Sequence, residues 1–191
     1  MNILITGGTG FIGKQIAIKI LELGTISFDG QAAQTIDKVI LFDAFAGEEL
    51  PQDPKIQVIT GDITDKSLVE KITENIDVVW HLAAVVSSAA EADFDLGMNV
   101  NLYGLLTLLE ALRKHVSKPR VIFASGCAVF GGELPDVVTD QTVVTPKSSY
   151  GMQKAIGELL VSDYSRKGFI DGRVLRLPTI VVRPGKPNKA A

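Results

Sequence analysis

Short apolar runs alternate with longer amphipathic stretches along the whole chain. The apolar runs are rich in β-branched residues and nearly continuous, as in parallel strands that are covered on both faces. They span residues 2–6, 38–43, 56–60, 76–83, 120–125 and 172–182. Helical periodicity, with apolar residues three or four positions apart, covers residues 11–24, 65–74, 98–115 and 149–166. The alternation predicts an α/β fold, a doubly wound parallel (Rossmann) sheet with helices on both faces.

Two segments interrupt this alternation. Residues 25–37 lengthen the first helix-to-strand connection and are predicted to be a surface insertion. Residues 131–148 form a long polar loop with two prolines, and loops of this length within a compact domain usually carry function. We expect a dinucleotide-binding domain over residues 1–182. Residues 183–191 would then begin the connection to a C-terminal substrate domain that is largely missing from this chain.

Composition limits the class of protein. The chain is 46% hydrophobic and 21% charged, which is typical of folded domains. Its net charge of -3 provides no basic surface for nucleic acid or an anionic membrane. No apolar run approaches the ~18 residues of a membrane helix, and the N-terminus does not resemble a signal peptide. We therefore expect a cytoplasmic protein that binds neither nucleic acid nor membrane, and no cluster has metal-ligand spacing.

A glycine-rich turn lies between the first strand and the first helix. Gly7, Gly10 and Gly13 follow a G-x-x-G-x-x-G pattern, which suits a tight turn, close approach of the backbone to a pyrophosphate, and helix packing. Phe11 and Ile12 begin the helix, whose N-terminus carries partial positive charge. The turn predicts a dinucleotide site.

Carboxylates end the next two strands. Asp43 can accept hydrogen bonds from both hydroxyls of the adenosine ribose. No Arg or Lys follows within residues 44–50, which favours NAD over NADP because a 2′-phosphate would meet negative charge. Asp62 and Ile63 are candidates to bracket the adenine. An alternative for Asp62 or Asp65 is the N-cap of the following helix.

Several motifs occur together in a fixed order. They are "TGGTGFIG", "FD", "GDITD", "HLAA", "NLYGLLTLLEA", "FASGCAVFGG", "SSYGMQKAIGE" and "RLPTIVVRPG". With this order over essentially the whole chain, the sequence resembles the extended short-chain dehydrogenase/reductase (NAD-dependent epimerase/dehydratase) family. Within that family, several stretches are most similar to NAD-dependent dehydrogenases that oxidise C2 of four-carbon sugar acids such as D-erythronate.

The resemblance implies roles for individual residues. Tyr150 would be the general base and Lys154 its assistant, with Asn101 supporting the lysine. Other residues of the pattern would contact the cofactor: Leu82, Ala83 and Ala84 its ribose and pyrophosphate, and Pro178 and Thr179 the nicotinamide carboxamide.

The Tyr150/Lys154 pair also makes chemical sense by itself. Removing hydride from a secondary alcohol requires that a base take the hydroxyl proton. A free tyrosine has a pKa of ~10, too high for a base at neutral pH. Lys154 lies four residues later on the same helix face, and its charge, together with that of an oxidised nicotinamide, would stabilise the phenolate.

One position departs from the family pattern. Relatives usually carry Ser or Thr four residues before the aromatic residue of a "VFG" element, where the hydroxyl donates to the substrate oxygen. Counting back from Phe130 gives Gly126. Ser125 could take the donor role, water could replace it, or activity could be impaired. Cys127 is expected to be a small buried hydrophobic residue.

The remaining candidates have plain alternatives. Ser87 and Ser88 could bind a substrate carboxylate or hydroxyl, or belong to an ordinary polar loop. His81 is expected to pack within the fold, and residues 105–112 to form core or a homodimer surface. The leading hypothesis is NAD-dependent oxidation of a small sugar acid, with Tyr150 as base. The alternatives are a nucleotide-sugar epimerase or a catalytically impaired NAD-binding sensor or scaffold.

Overall fold

A six-stranded parallel sheet forms the centre of the computed structural model, which describes residues 1–180. Its strands are Asn2–Thr6 (β1), Lys38–Asp43 (β4), Ile56–Thr60 (β5), Val78–His81 (β6), Arg120–Gly126 (β7) and Asp171–Leu177 (β8). They lie side by side in the order β5-β4-β1-β6-β7-β8. All five strand pairs are parallel, which confirms the predicted Rossmann-like sheet.

Helices connect the strands and lie on both faces of the sheet. Their bounds are Phe11–Leu23 (α1), Lys66–Thr73 (α2), Ser87–Ala92 (α3), Phe94–Gly97 (α4), Gly104–Leu112 (α5) and Ser149–Arg166 (α6), with a π-helix at Met98–Tyr103 and a 3-10 turn at Cys127–Val129. The prediction of one helix over 98–115 is wrong in detail. The helical stretch begins at Phe94, passes through the π-helix and ends at Leu112.

Neighbouring residues of each central strand enter opposite cores. Leu4 and Phe123 pack in the cluster beneath α2, α5 and α6. Ile3, Ile5 and Ile122 pack in the cluster beneath α1. Since successive strand side chains point to opposite faces, both faces of the sheet are buried, which explains the continuous apolar runs.

The insertion at residues 25–37 is a short hairpin on the surface, as predicted, with strands Thr25–Ile26 (β2) and Gln34–Thr35 (β3). Arg120 connects it to the sheet. The guanidinium donates to Asp29 of the hairpin and to Asp171 of β8. It also lies 4.3 Å from the centre of the Phe28 ring.

The last strand is shorter than predicted. Strand β8 ends at Leu177, so residues 178–180 lie beyond the sheet, and residues 181–182 lie outside the described residues. The predicted domain boundary at 182 and the connection over 183–191 also lie outside them. None of the helices in residues 1–180 has the length and apolar character needed to span a membrane.

Candidate active site

The glycine turn has the geometry of a phosphate-binding loop. Gly7 has φ of +70°, and a Cβ there would lie 2.8 Å from the amide nitrogen of Ala83. A Cβ at Gly13 would lie 2.4 Å from the Gly7 carbonyl oxygen, so the close packing is with the turn itself. Gly10 is the N-cap of α1, and no side chain within residues 1–180 caps this helix end. First-turn N–H groups without intrahelical partners form an anion site, so these residues fit a dinucleotide pyrophosphate.

Asp43 lies beside this turn. Its carboxylate accepts a hydrogen bond from the Thr9 backbone at 3.2 Å. The loop that follows folds back onto the turn, because the Thr9 hydroxyl donates to the Phe45 carbonyl at 3.1 Å. The predicted ribose carboxylate and the predicted pyrophosphate site are therefore adjacent.

The carboxylates after β5 have different local roles. Asp62 accepts hydrogen bonds from the backbone and hydroxyl of Thr64, each at 2.8 Å. Asp65 is the N-cap of α2 and accepts from Ser67 and Leu68. Ile63 is buried in the core. Of the two N-cap candidates, the structure assigns the cap to Asp65.

His81 ends β6 and is buried, as expected of a packing residue. Its Nδ1 lies 2.7 Å from the Thr6 hydroxyl oxygen, which also accepts from the Ala83 backbone at 3.3 Å. Burial and the nearby Lys154 charge lower the His81 pKa to about 3. The neutral ring thus holds the ends of β1 and β6 together, where the predicted cofactor segment Leu82–Ala84 begins.

Helix α6 carries the Tyr150/Lys154 pair. Ser148 caps the helix by accepting from the Gly151 backbone at 3.1 Å. Lys154 is 3% exposed, and its Nζ donates to the Ala124 carbonyl at 2.8 Å. The same Nζ lies 5.6 Å from the centre of the Tyr150 ring and 4.9 Å from that of Phe123. The lysine charge is therefore held under the tyrosine, on the side of the helix that faces β7.

The electrostatics of this pair are set by burial. Burial lowers the pKa of Lys154 to about 8, so the ammonium form still predominates at pH 7. Burial also raises the pKa of Tyr150, and the neighbouring Cys127 adds to the rise. A phenolate at neutral pH therefore requires more positive charge than Lys154 supplies alone, and an oxidised nicotinamide has the required sign.

The end of β7 contains the position where the family pattern lacks its hydroxyl. Gly126 has an extended backbone, with φ of -163°. Among residues 1–180, a Cβ there would meet only the Leu177 carbonyl oxygen, at 3.6 Å, so these residues leave room for a Cβ. The Ser125 hydroxyl donates instead to Glu158 at 2.6 Å. Glu158 in turn accepts from Nε and Nη2 of the Arg176 guanidinium, with Nε shared between both carboxylate oxygens.

Cys127 is exposed, so the prediction of a buried residue is wrong. It begins the 3-10 turn after β7 instead of continuing the buried strand. Ser87 and Ser88 form the start of helix α3, so they do not lie in the ordinary polar loop that was one of the two expectations for them. Pro178 and Thr179 follow the end of β8 and are exposed.

Sequence reasoning missed three polar residues near the pair: Gln153 and Glu158, which are buried, and Arg176, whose side chain is 25% exposed. Glu158 lies at i+4 from Lys154 and i+8 from Tyr150, a spacing that could have placed it on the same helix face. Gln153 accepts a hydrogen bond from Asn101 at 2.8 Å, and only the fold brings these two residues together.

Among residues 1–180, no group of His, Cys, Asp and Glu side chains is placed to hold a metal ion.

These elements define a Rossmann-like domain with a glycine-rich turn and a Tyr/Lys pair at the carboxyl ends of its strands. The model of the NAD dependent epimerase/dehydratase family matches residues 3–190, and the chain belongs to this family. The family resemblance read from the motifs is thereby confirmed, and so is NAD, at the level of the family.

Two curated relatives and one crystal structure match the chain over its whole length. The chain is 56% identical to the D-erythronate dehydrogenase of Cupriavidus necator and 47% identical to that of Haemophilus influenzae. All of this chain is matched, but it spans only 59% and 58% of those two proteins. The crystal structure of the nucleoside-diphosphate-sugar epimerase from Agrobacterium tumefaciens has a TM-score of 0.90 at 43% identity; all of this chain and 56% of that one are covered.

Proposed function

We propose that this domain belongs to an NAD-dependent dehydrogenase that oxidises a secondary alcohol of a small sugar acid, with C2 of D-erythronate as the preferred candidate. The observation that carries the proposal is Lys154, a nearly fully buried cation held within 5.6 Å of the Tyr150 ring centre. Burying a charge is costly, so a buried lysine indicates a functional role. Here the lysine lies close to a tyrosine beside the proposed dinucleotide site, where its charge would help the tyrosine to take a proton.

One set of residues would bind the NAD cofactor, and a second set would carry out the proton transfer. Gly7, Gly10 and the first turn of α1 would hold the pyrophosphate, and Asp43 would hold the adenosine ribose. Residues 82–84 and 178–179 would line the nicotinamide half. Bound NAD would supply the hydride acceptor and a positive charge.

The proton chemistry falls to α6. Tyr150 would take the hydroxyl proton of the substrate, and the Lys154 ammonium would stabilise the resulting phenolate. Lys154 is oriented by its hydrogen bond to the Ala124 carbonyl, so its position is fixed by β7. The Ser125 hydroxyl, proposed from the sequence as a replacement donor, donates to Glu158 instead, which favours water for that role.

Sugar acids are supported by the two D-erythronate dehydrogenases, which match the whole chain at 56% and 47% identity. A nucleotide-sugar epimerase is the second candidate, because the Agrobacterium epimerase covers the whole chain at 43% identity. Both functions would use the same tyrosine, lysine and cofactor site. A homodimer stays a prediction. Tyr103, which directly precedes α5, is 50% exposed, and Leu159 of α6 is 72% exposed.

The test measures NADH formation from D-erythronate, D-threonate and related aldonates, using the complete protein that contains residues 1–191. We expect turnover with at least one four-carbon acid. The Tyr150→Phe variant should lose about 10²-fold or more of kcat and keep its affinity for NAD. NADH binding without turnover of any sugar acid would contradict the proposal, and interconversion of nucleotide sugars would favour the epimerase.

A further inference from the structure

The carboxamide of Asn101 pairs with the backbone of the segment that follows β6. The Val85 N–H donates to Asn101 Oδ1 at 2.7 Å, and Asn101 Nδ2 donates to the Val85 carbonyl at 3.1 Å. The same Nδ2 donates to Gln153 Oε1 at 2.8 Å. We call Val85, Asn101 and Gln153 the amide bridge. It joins the segment after β6 to helix α6.

The amide bridge meets α6 at the proposed catalytic residues. Gln153 is the residue before Lys154 and lies three positions after Tyr150. Asn101 lies within the π-helix Met98–Tyr103, whose wider turn is closed by the Gly104 N–H donating to the Asn99 carbonyl. A π-turn adds one residue to a helix and changes which side chains face inward, and such turns are frequent at functional sites. Here Asn101 is the residue of the π-helix that is buried.

Burying the side chain of Gln153 lowers the stability of the fold, because one of its polar atoms is left without a partner. It is 0% exposed, yet its Nε2 has no hydrogen-bond partner within residues 1–180. This nitrogen lies against Gly97, where a Cβ would approach it to 2.7 Å. An apolar side chain of equal length would fill the space without a buried, unpaired donor. The interaction that requires a glutamine is the bond to Asn101.

The other end of the same segment is held by β1. The Leu82 N–H donates to the Thr6 carbonyl at 3.0 Å, and the Ala83 N–H to the Thr6 hydroxyl at 3.3 Å. Between these anchors the segment passes Gly7 of the phosphate turn, which has no room for a Cβ beside Ala83. Thr6 therefore sets one end of the segment Leu82–Val85, and the amide bridge sets the other.

We propose that Gln153 is a positioning residue. Through Asn101 it fixes the segment Leu82–Val85 relative to Tyr150 and Lys154, and so sets the distance between the bound dinucleotide and the catalytic side chains. The effect on turnover rests on the proposed function, whereas the effect on dinucleotide binding does not. Small displacements of this kind lower rates strongly, because the reacting atoms must meet within a narrow range of distances.

The test replaces the polar end of the side chain while keeping its length. In the complete protein that contains residues 1–191, Gln153→Met should lower kcat about tenfold or more and weaken NADH binding about threefold or more. Its Tm should stay close to that of the wild type, because the substitution removes the unpaired Nε2 donor of Gln153 but leaves one Nδ2 hydrogen of Asn101 without its acceptor. A purely structural role predicts the reverse, a lower Tm with kcat and NADH affinity close to the wild type.

Two further variants separate the explanations. Gln57→Met makes the same chemical change on the exposed edge strand β5 and should leave Tm, kcat and NADH affinity unchanged. In an Asn101→Leu background, Gln153→Met should have no further effect on kcat or NADH affinity, since Gln153 acts through Asn101. Additive effects would overturn the proposal.

The readouts also distinguish this inference from the proposed function. Absence of turnover by the wild type with every aldonate would contradict the proposed function alone. Unchanged NADH affinity of Gln153→Met, measured by NADH fluorescence, would overturn the positioning role whether or not the wild type turns over a substrate.

Discussion

At the scale of single residues, Gly126 is where the site departs from the family pattern. Its backbone is extended, and within the part of the chain that the structure describes a Cβ would have only an ordinary contact of 3.6 Å with the Leu177 carbonyl. Neither its backbone conformation nor the residues described around it require a glycine there. We expect Gly126→Ser to fold normally and to raise kcat/KM for the sugar acid about tenfold or more, because a fixed hydroxyl would stabilise the reacting oxygen. Steady-state NADH formation measures this.

The matched control is Gly126→Ala, which adds the carbon without the hydroxyl. A serine variant no faster than the alanine variant would show that the donor role is already filled, by water or by another group. The Ser125 hydroxyl is committed to its hydrogen bond with Glu158 in this structure.

Lys154 is a residue where function and stability oppose each other. Its pKa of about 8 in the folded protein is below the ordinary 10.5, so burial of the ammonium costs about 3 kcal/mol at pH 7. Its hydrogen bond to the Ala124 carbonyl offsets part of this cost. We expect Lys154→Met to raise the free energy of unfolding at pH 7 by about 1–3 kcal/mol and to abolish turnover.

The pH dependence of this variant has a definite sign. Between pH 8 and 10.5 the unfolded lysine keeps its proton while the folded lysine has lost it, so wild-type stability gains from this residue as pH rises. The advantage of Lys154→Met should therefore be full below pH 8 and shrink toward pH 10.5. Urea unfolding at several pH values measures the difference, and a constant advantage across this range would contradict the assignment.

At the scale of elements, helix α6 depends on close packing at its first turn. A Cβ at Gly151 would lie 2.1 Å from the Ala128 carbonyl oxygen and 3.1 Å from Pro146. Gly151→Ala should therefore move the start of α6 away from the 3-10 turn, destabilise the fold by about 1–3 kcal/mol and lower kcat, because Tyr150 moves with the helix.

The same helix provides the control. Ser162→Ala introduces an alanine at an exposed position of α6. It should change the free energy of unfolding by less than about 0.5 kcal/mol and leave kcat unchanged. If Gly151→Ala behaves like Ser162→Ala in thermal unfolding and turnover, the packing against Ala128 does not position the helix.

Elements differ in how well sequence predicted them. Helix α6 has the predicted bounds, because a serine cap precedes a long periodic stretch. The π-helix was missed, since one extra residue in a turn barely alters the apolar pattern over 98–115. Helix α3 was missed because its alanines and serines, within "SSAAEA", give no amphipathic signal.

At the scale of the whole molecule, the strand order explains why separate motifs meet. The glycine turn follows β1, Asp43 ends β4, residues 82–84 follow β6, and Gly126 ends β7. These strands are neighbours and parallel, so their carboxyl ends lie at one edge of the sheet. The motifs are far apart in sequence, and this topology places them at one edge of the sheet.

The sequence by itself determined the fold class, the glycine turn between β1 and α1, the family, and the position of Tyr150 and Lys154 one turn apart on a helix. Each of these depends on short-range signals: apolar periodicity, glycine spacing or residues one helical turn apart. Tertiary structure alone decided what the buried polar groups do. Ser125 meets Glu158, Lys154 meets the Ala124 carbonyl, and Gln153 meets Asn101. These partners are 30 to 52 residues apart, and hydrogen bonds at that separation depend on how strands and helices pack, which no local pattern encodes.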